Sequence, residues 1–167
     1  VSTESPRAER AFIGLGSNLD DPQAQVERAL SELAAIDATR VLRRSSLYRS
    51  APWGVTDQPA FVNAVAEVET RLPARVLLDA LLEIERRHGR RRDGARWGPR
   101  TLDLDLLVHG RTRLAEPGLI LPHPHIAERA FVLMPLAELD PDFDLPSVGS
   151  VRALLARVDT SGCVRIV

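Results

Sequence analysis

Residues 101–108 read Thr-Leu-Asp-Leu-Asp-Leu-Leu-Val, and their alternation decides how the chain folds around its chemistry. Successive side chains of a β-strand point to opposite faces, so Asp103 and Asp105 share one face while Leu102, Leu104 and Leu106 take the other. The leucine face predicts a sheet packed on a core. The acid face sets two carboxylates roughly 7 Å apart at their Cα atoms, two strand rises. Like charges this close repel unless a proton or a cation neutralises them. Magnesium, which takes one or two carboxylates plus phosphate oxygens, suits such a pair. The plain alternative is a solvated strand face or salt bridges to nearby arginines.

Immediately before this strand lie seven arginines: Arg86, Arg87, Arg90, Arg91, Arg92, Arg96 and Arg100. Carboxylates that hold a metal beside guanidinium groups that hold phosphate oxygens are the two parts needed to stabilise a phosphoryl group in transfer. Arg87 and Arg91 are the members expected to be solvated only. Gly89, Gly94 and Gly98 predict a segment able to move as a lid over a nucleotide. All 22 basic residues of the chain are arginine. With no lysine, a P-loop and a protein-kinase phosphate site are both excluded. A net charge of -1 and a pI near 6.5 exclude the basic excess that drives general nucleic-acid binding.

The flanking elements place this strand in a sheet. Residues 11–17 predict a strand ending in a glycine turn, and Asp21-Pro22 suits the cap and first position of a helix whose Val26, Leu30 and Leu33 form one stripe. Val41–Tyr48 and Phe61–Thr70 predict two strands joined by a loop rich in proline and glycine. A second helix is expected from Pro73 to His88, capped at Gly89. Later come a short apolar segment at Leu119–Leu121, a helix over Ile126–Leu139 interrupted at Pro135, and a last helix at Val151–Val158. The order matches the ferredoxin-like split unit: an α+β sandwich with a largely antiparallel sheet and helices covering one face. At 167 residues a single domain is expected over 11–167, after a flexible segment at 1–10. The lone Cys163, the absence of a long apolar run and the polar start predict a cytoplasmic protein with no membrane partner.

Phe61 and Asn63 fall two apart on one strand, and Phe131 lies near the far end. Flat rings select flat ligands, and an asparagine amide pairs with the edge of a heterocycle. Without other information a phenylalanine is core. His123 and His125 lack the further ligands that zinc would want.

Four strings occur in order: Gly14-Leu-Gly-Ser-Asn-Leu19, SSLYRSAPWGVTDQPAFVN at 45–63, RWGPRTLDLDLL at 96–107 and PHPHIAERAFVLMPL at 122–136. Together they resemble the 6-hydroxymethyl-7,8-dihydropterin pyrophosphokinase family of folate biosynthesis, over about 11–146. The resemblance implies that ATP donates its β,γ-pyrophosphoryl group to the pterin hydroxymethyl oxygen, releasing AMP. It implies that Asp103 and Asp105 hold two Mg2+, and that Arg90 and Arg100 grip phosphate with Arg92 and Arg129 supporting. It assigns His123, Glu85 and Leu106 to the nucleotide, and Arg96 and Trp97 to the closing segment. The pterin would lie between Phe61 and Phe131, read by Asn63 and by backbone groups at Ser50, Pro52, Trp53 and Gly54. No nucleic acid or membrane partner and a monomeric state are expected. The chain departs from the familiar pattern at Ser50-Ala51-Pro52, at Pro124 and at Phe61, where tyrosine is frequent. Two other readings use the same features: a two-metal phosphohydrolase or nuclease, which would activate water, and an RNA-binding module on a ferredoxin-like sheet.

Overall fold

The computed structural model describes residues 6–52, 57–89 and 101–166. In chain order its elements are β1 (Glu9–Ser17), α1 (Pro22–Leu33), β2 (Thr39–Arg44), β3 (Tyr48–Ser50), β4 (Phe61–Thr70), α2 (Ala74–Arg87), β5 (Asp103–His109), β6 (Leu114–Glu116), β7 (Leu119–Leu121), α3 (Ala130–Leu139), β8 (Asp144–Leu145), β9 (Gly149–Ser150), α4 (Val151–Leu155) and β10 (Cys163–Arg165). The main sheet runs β10-β3-β4-β1-β5, with β2 also paired to β4, and every pairing is antiparallel. The α+β class holds. β1 already begins at Glu9, inside the segment expected to be flexible.

Helices cover both faces of this sheet, not one. On the first face Ile13, Leu15, Ala64, Ala66, Leu104 and Leu106 pack against α1 and α2 through Val26, Leu30, Leu33, Leu77, Leu81 and Ile84. On the second, Phe12, Val65 and Leu107 pack against α3 and α4 through Val132, Leu133, Leu136 and Leu154. The reason lies in β1 and β4, which are buried at nearly every position; strands buried on both sides lose the alternation that marks a solvated face.

Three boundaries differ from expectation, each for a local reason. The stretch expected as one strand from Val41 to Tyr48 is two, broken at Ser45. There the Ser45 hydroxyl accepts the Val65 N–H (2.9 Å), and the Ser45 N–H reaches the Val65 carbonyl (2.9 Å). A side chain thus replaces one rung of the ladder, and β2 and β3 pair with opposite ends of β4. The helical stretch after Ile126 is interrupted at Arg129, which is extended (φ -112°, ψ 102°), while Pro135 sits inside α3. The roughly 3 kcal/mol that an interior proline costs a helix is offset by burial of Val132, Leu133, Leu136 and Leu139 around it. The last helix stops at Leu155. Asp21 does cap α1, accepting the Ala24 N–H with Pro22 in the first turn, and Gly89 follows α2 at φ +81°.

Candidate active site

β1 carries Gly14 and Gly16 on the face it turns toward α3; they lie within the strand and not in a turn after it. Gly16 pairs with Asp103 on one side and Asn63 on the other, and Gly14 pairs with Asp105 and Val65. Strands lie about 4.8 Å apart, so a row running aspartate, glycine, asparagine leaves a slot about 10 Å across whose floor has no side chain. A Cβ on Gly16 would stand 3.0 Å from Asn63 Oδ1 and 3.8 Å from Phe61 Cδ1. The slot opens into a cleft lined by Gly14, Gly16, Ser50, Ala51, Phe61, Asn63, Asp103, Asp105, Arg129 and Phe131.

Seven of the residues singled out in the sequence therefore meet in one cleft: Ser50, Phe61, Asn63, Asp103, Asp105, Arg129 and Phe131. Asn63 is 4% exposed, and its Nδ2 donates to Ser50 Oγ at 2.6 Å, which fixes the amide with Oδ1 over the bare floor. The departure at Ser50 thus keeps a hydroxyl in place. Pro52 does not line the cleft, and its neighbour Ala51 does. Gln58 and Pro59 are tied to the end of β1 by buried Asn18, whose Nδ2 donates to Gln58 Oε1 (2.8 Å) and to the Pro59 carbonyl (3.0 Å).

A register shift brings the histidine in. Ile13 pairs with Leu106 but Phe12 with Val108, so Leu107 is a bulge in β5. Its carbonyl accepts the His123 N–H at 2.9 Å. Bulges commonly re-aim groups beside active sites, and this one seats His123 two residues along from Asp105. His123 Nδ1 accepts the His125 N–H (3.2 Å), so in the neutral ring the proton sits on Nε2, 3.9 Å from Asp105 Oδ1. Burial is the main cause that pushes the His123 pKa down to about 4; the charges of Arg129 and His125 act the same way, and Asp103 opposes them. The ring is therefore a neutral donor at pH 7. Arg129, its side chain 10% exposed, places Nη1 3.7 Å from Asp105 Oδ2 and its guanidinium carbon 5.5 Å from the centre of the Phe131 ring. It supplies fixed positive charge at the cleft wall.

A second hollow lies across the edge of β5, lined by Arg75, Leu78, Leu82, Leu104, Asp105, Leu106, Gly118, Leu119, Ile120, His123 and Pro124. Asp105 lines both hollows. Leu106 and His123, linked above to the nucleotide, fall together here, and Leu78, Leu82 and Arg75 join them without having been marked by any motif. Their only signal in the sequence is a helix face wider than the core stripe requires. Glu85 is buried and bonds to the backbone of β5 at Leu104 N (2.7 Å). Trp53, Gly54, Arg90, Arg92, Arg96, Trp97 and Arg100 lie outside the described residues.

An antiparallel sheet with paired carboxylates where a polar aromatic slot meets a largely apolar hollow is the frame of a small α+β protein with an enzyme-like cleft. The particular family follows from comparison. Residues 12–141 match the family model of 7,8-dihydro-6-hydroxymethylpterin-pyrophosphokinase (HPPK). The chain is 48% identical over 158 residues to the 2-amino-4-hydroxy-6-hydroxymethyldihydropteridine pyrophosphokinase of Pseudomonas aeruginosa, covering 95% of this chain and 97% of that one. It is 45% identical over 157 residues to the enzyme of the same name from Methylorubrum extorquens, covering 94% and 98%. The chain belongs to the HPPK family and is an enzyme, a diphosphokinase of the transferase class. Its fold is also that of Plasmodium falciparum HPPK-DHPS, with a TM-score of 0.73 at 13% identity over 93% of this chain; the chain spans 44% of that longer protein.

Proposed function

We propose that the slot binds 6-hydroxymethyl-7,8-dihydropterin, that the second hollow binds ATP, and that the β,γ-pyrophosphoryl group passes between them at Asp105, giving the pterin diphosphate and AMP for folate biosynthesis. The observation that carries this reading is that Asp105 lines both hollows, so an acceptor in one and a polyphosphate in the other meet at the carboxylate pair. Phe61 and Phe131 suit the two faces of a bicyclic ring, and Asn63, held by Ser50, suits its polar edge.

The acceptor hydroxyl attacks the β-phosphorus, the bond from that phosphorus to the α-phosphate oxygen breaks, and the hydroxyl proton leaves to solvent. Asp103 and Asp105 present hard carboxylate oxygens and fit magnesium, which needs only one or two of them. Among the described residues no group of three or more His, Cys, Asp or Glu could hold a metal by itself, which fits an ion completed by phosphate oxygens. Magnesium, two ions in this reading, would neutralise polyphosphate charge and lower the pKa of the attacking hydroxyl. Arg129 and the Nε2–H of His123 would contact phosphate oxygens, with Arg90, Arg92 and Arg100 supporting and Arg96 and Trp97 belonging to a closing segment. The substrates are small molecules; we read the protein as a cytoplasmic monomer, and no helix among the described residues is long and apolar enough to cross a membrane.

Incubation with ATP, Mg2+ and the dihydropterin should release one AMP per pterin diphosphate, followed by 31P NMR. Hydrolysis of ATP at the same rate without pterin would instead favour a phosphohydrolase.

A further inference from the structure

We propose that Glu85 is a positioning residue for the metal-binding carboxylates, acting through the backbone of β5 and not by touching either substrate. The proposal rests on the functional reading above, because it takes Asp103 and Asp105 as the metal ligands.

Glu85 sits on the buried face of α2, one residue after Ile84 and one turn after Leu81, and is 1% exposed. A carboxylate in such a setting is costly unless hydrogen bonds compensate it. Its Oε2 accepts the N–H of Leu104 at 2.7 Å, the short distance of a charge-assisted bond. Leu104 is the residue between Asp103 and Asp105.

The position of β5 makes this bond consequential. Among the described residues β5 ends the main sheet and pairs within it only with β1. Along such an edge every second N–H points away from the partner strand, with nothing in the ladder to hold it. The Leu104 N–H is one of these, and α2 brings Glu85 to it across the edge. On one side the register to Gly14, Leu15 and Gly16 fixes the three residues Asp103, Leu104 and Asp105; on the other, Glu85 does. Metal ligands must be held to about 0.5 Å by their supporting groups, and a strand edge that breathes does not meet that tolerance. The side chain thus ties the carboxylate pair to the rigid body of α2, which also carries Leu78 and Leu82 of the second hollow.

Three measurements separate this role from others. In the wild-type protein without ligands, the Leu104 amide should exchange with solvent deuterium as slowly as the core amides of β1; exchange at the rate of an exposed edge amide overturns the proposal, whatever the activity. Glu85→Leu should raise the Mg2+ concentration for half-maximal velocity at least tenfold and lower kcat, with the Kd for 6-hydroxymethylpterin, read by fluorescence without Mg2+, unchanged within twofold. Glu85→Gln keeps an oxygen that can accept the N–H and should recover most of the loss. Should Glu85→Gln be as impaired as Glu85→Leu, the charge and not the hydrogen bond matters, and the proposal fails. It fails also if Glu85→Leu weakens a Mg2+-free ATP analogue tenfold with Mg2+ dependence unmoved, which would mark a nucleotide contact. If Glu85→Leu does not fold, exchange and Glu85→Gln decide. Failure of the wild type to form AMP would refute the functional reading, a result distinct from each of these.

Discussion

Replacing Gly16 by alanine adds one methyl group to the floor of the slot and tests whether a flat ligand lies there. Gly16 is within β1 and needs no left-handed backbone, so alanine is conformationally admissible. The new Cβ would meet Asn63 Oδ1 at 3.0 Å, with Phe61 Cδ1 at 3.8 Å and the Val62 carbonyl at 4.0 Å. Only the first of these contacts is tight, and a few tenths of an ångström relieve it. Asn63 must give, and it is held by a 2.6 Å bond to Ser50. Inserting a methyl into a packed site costs typically about 1–3 kcal/mol. In the free protein the slot is open above the glycine, so the cost should be at the low end, about 1 kcal/mol, or about 2–4 °C in Tm for a chain of this size. In the complex a ring stacked between Phe61 and Phe131 cannot retreat from the methyl. The full 1–3 kcal/mol then falls on binding, a rise in Kd of about 5- to 150-fold. Fluorescence titration with 6-hydroxymethylpterin, beside thermal melts, reads both quantities. A Kd within twofold of wild type at unchanged Tm would refute a ligand lying over Gly16. A fall in Tm above about 10 °C would show that Gly16 serves the fold, and the slot argument would lose its basis.

Asp103→Ala and Asp105→Ala should each lower kcat/KM at least about 1000-fold, about 4 kcal/mol of transition-state stabilisation, with Tm unchanged within a few degrees; retained turnover would sink the metal assignment. Ser50→Ala should weaken pterin binding several-fold while Ser50→Thr preserves it, because the hydroxyl that orients Asn63 is lost in one and kept in the other; equal affinities would show that the amide needs no such hold. Glu67→Gln tests the far end of the sheet, where the Glu67 carboxylate, 6% exposed, receives Arg10 (2.9 Å) and Arg43 (2.7 Å). Both arginines are more than a third exposed, so screening discounts the pair to about 1–2 kcal/mol, or about 2–8 °C. Burial pushes the Glu67 pKa up, but the hydrogen bonds and charges of Arg10 and Arg43 outweigh it and leave the group below its ordinary value. A depressed carboxylate stabilises the fold above its unfolded pKa of about 4.3 and stops doing so as pH falls through the folded value. The Tm gap between wild type and variant should therefore be constant above about pH 6 and close below about pH 4; a gap that persists in acid would mean the effect is packing and not charge.

What could be read in the sequence divides along a physical line. Asp103 and Asp105 were legible because two acids at alternate positions of a leucine strand leave one arrangement of faces, and Phe61 with Asn63 followed from the same rule. The second helical layer was not, because Phe12 and Val65 lie in the unbroken apolar runs 11–16 and 64–66, where no period distinguishes a strand with one buried face from a strand with two. The break at Ser45 and the continuation through Pro135 escaped for a related reason: each depends on a partner far along the chain, Val65 in one case and the packed surroundings of α3 in the other.

The site itself contains a further kind of residue that local patterns do not reveal, one that acts by what it leaves out or by what it does to the backbone. Gly14 and Gly16 make the slot by having no side chain, and the bulge at Leu107 turns a carbonyl outward so that His123 can reach the carboxylates. Glu85 looks, in the sequence, like one more charge on an arginine helix; one of its partners is a backbone N–H, which every residue but proline possesses and no composition marks. The residues that touch substrate are thus recognisable by chemical type, whereas those that set their spacing are recognisable only by register. A search for the determinants of the approach between pterin and ATP should therefore begin at the edge of β5, where Glu85 and His123 grip successive parts of one strand from opposite elements, and Asp105 lies between the two grips.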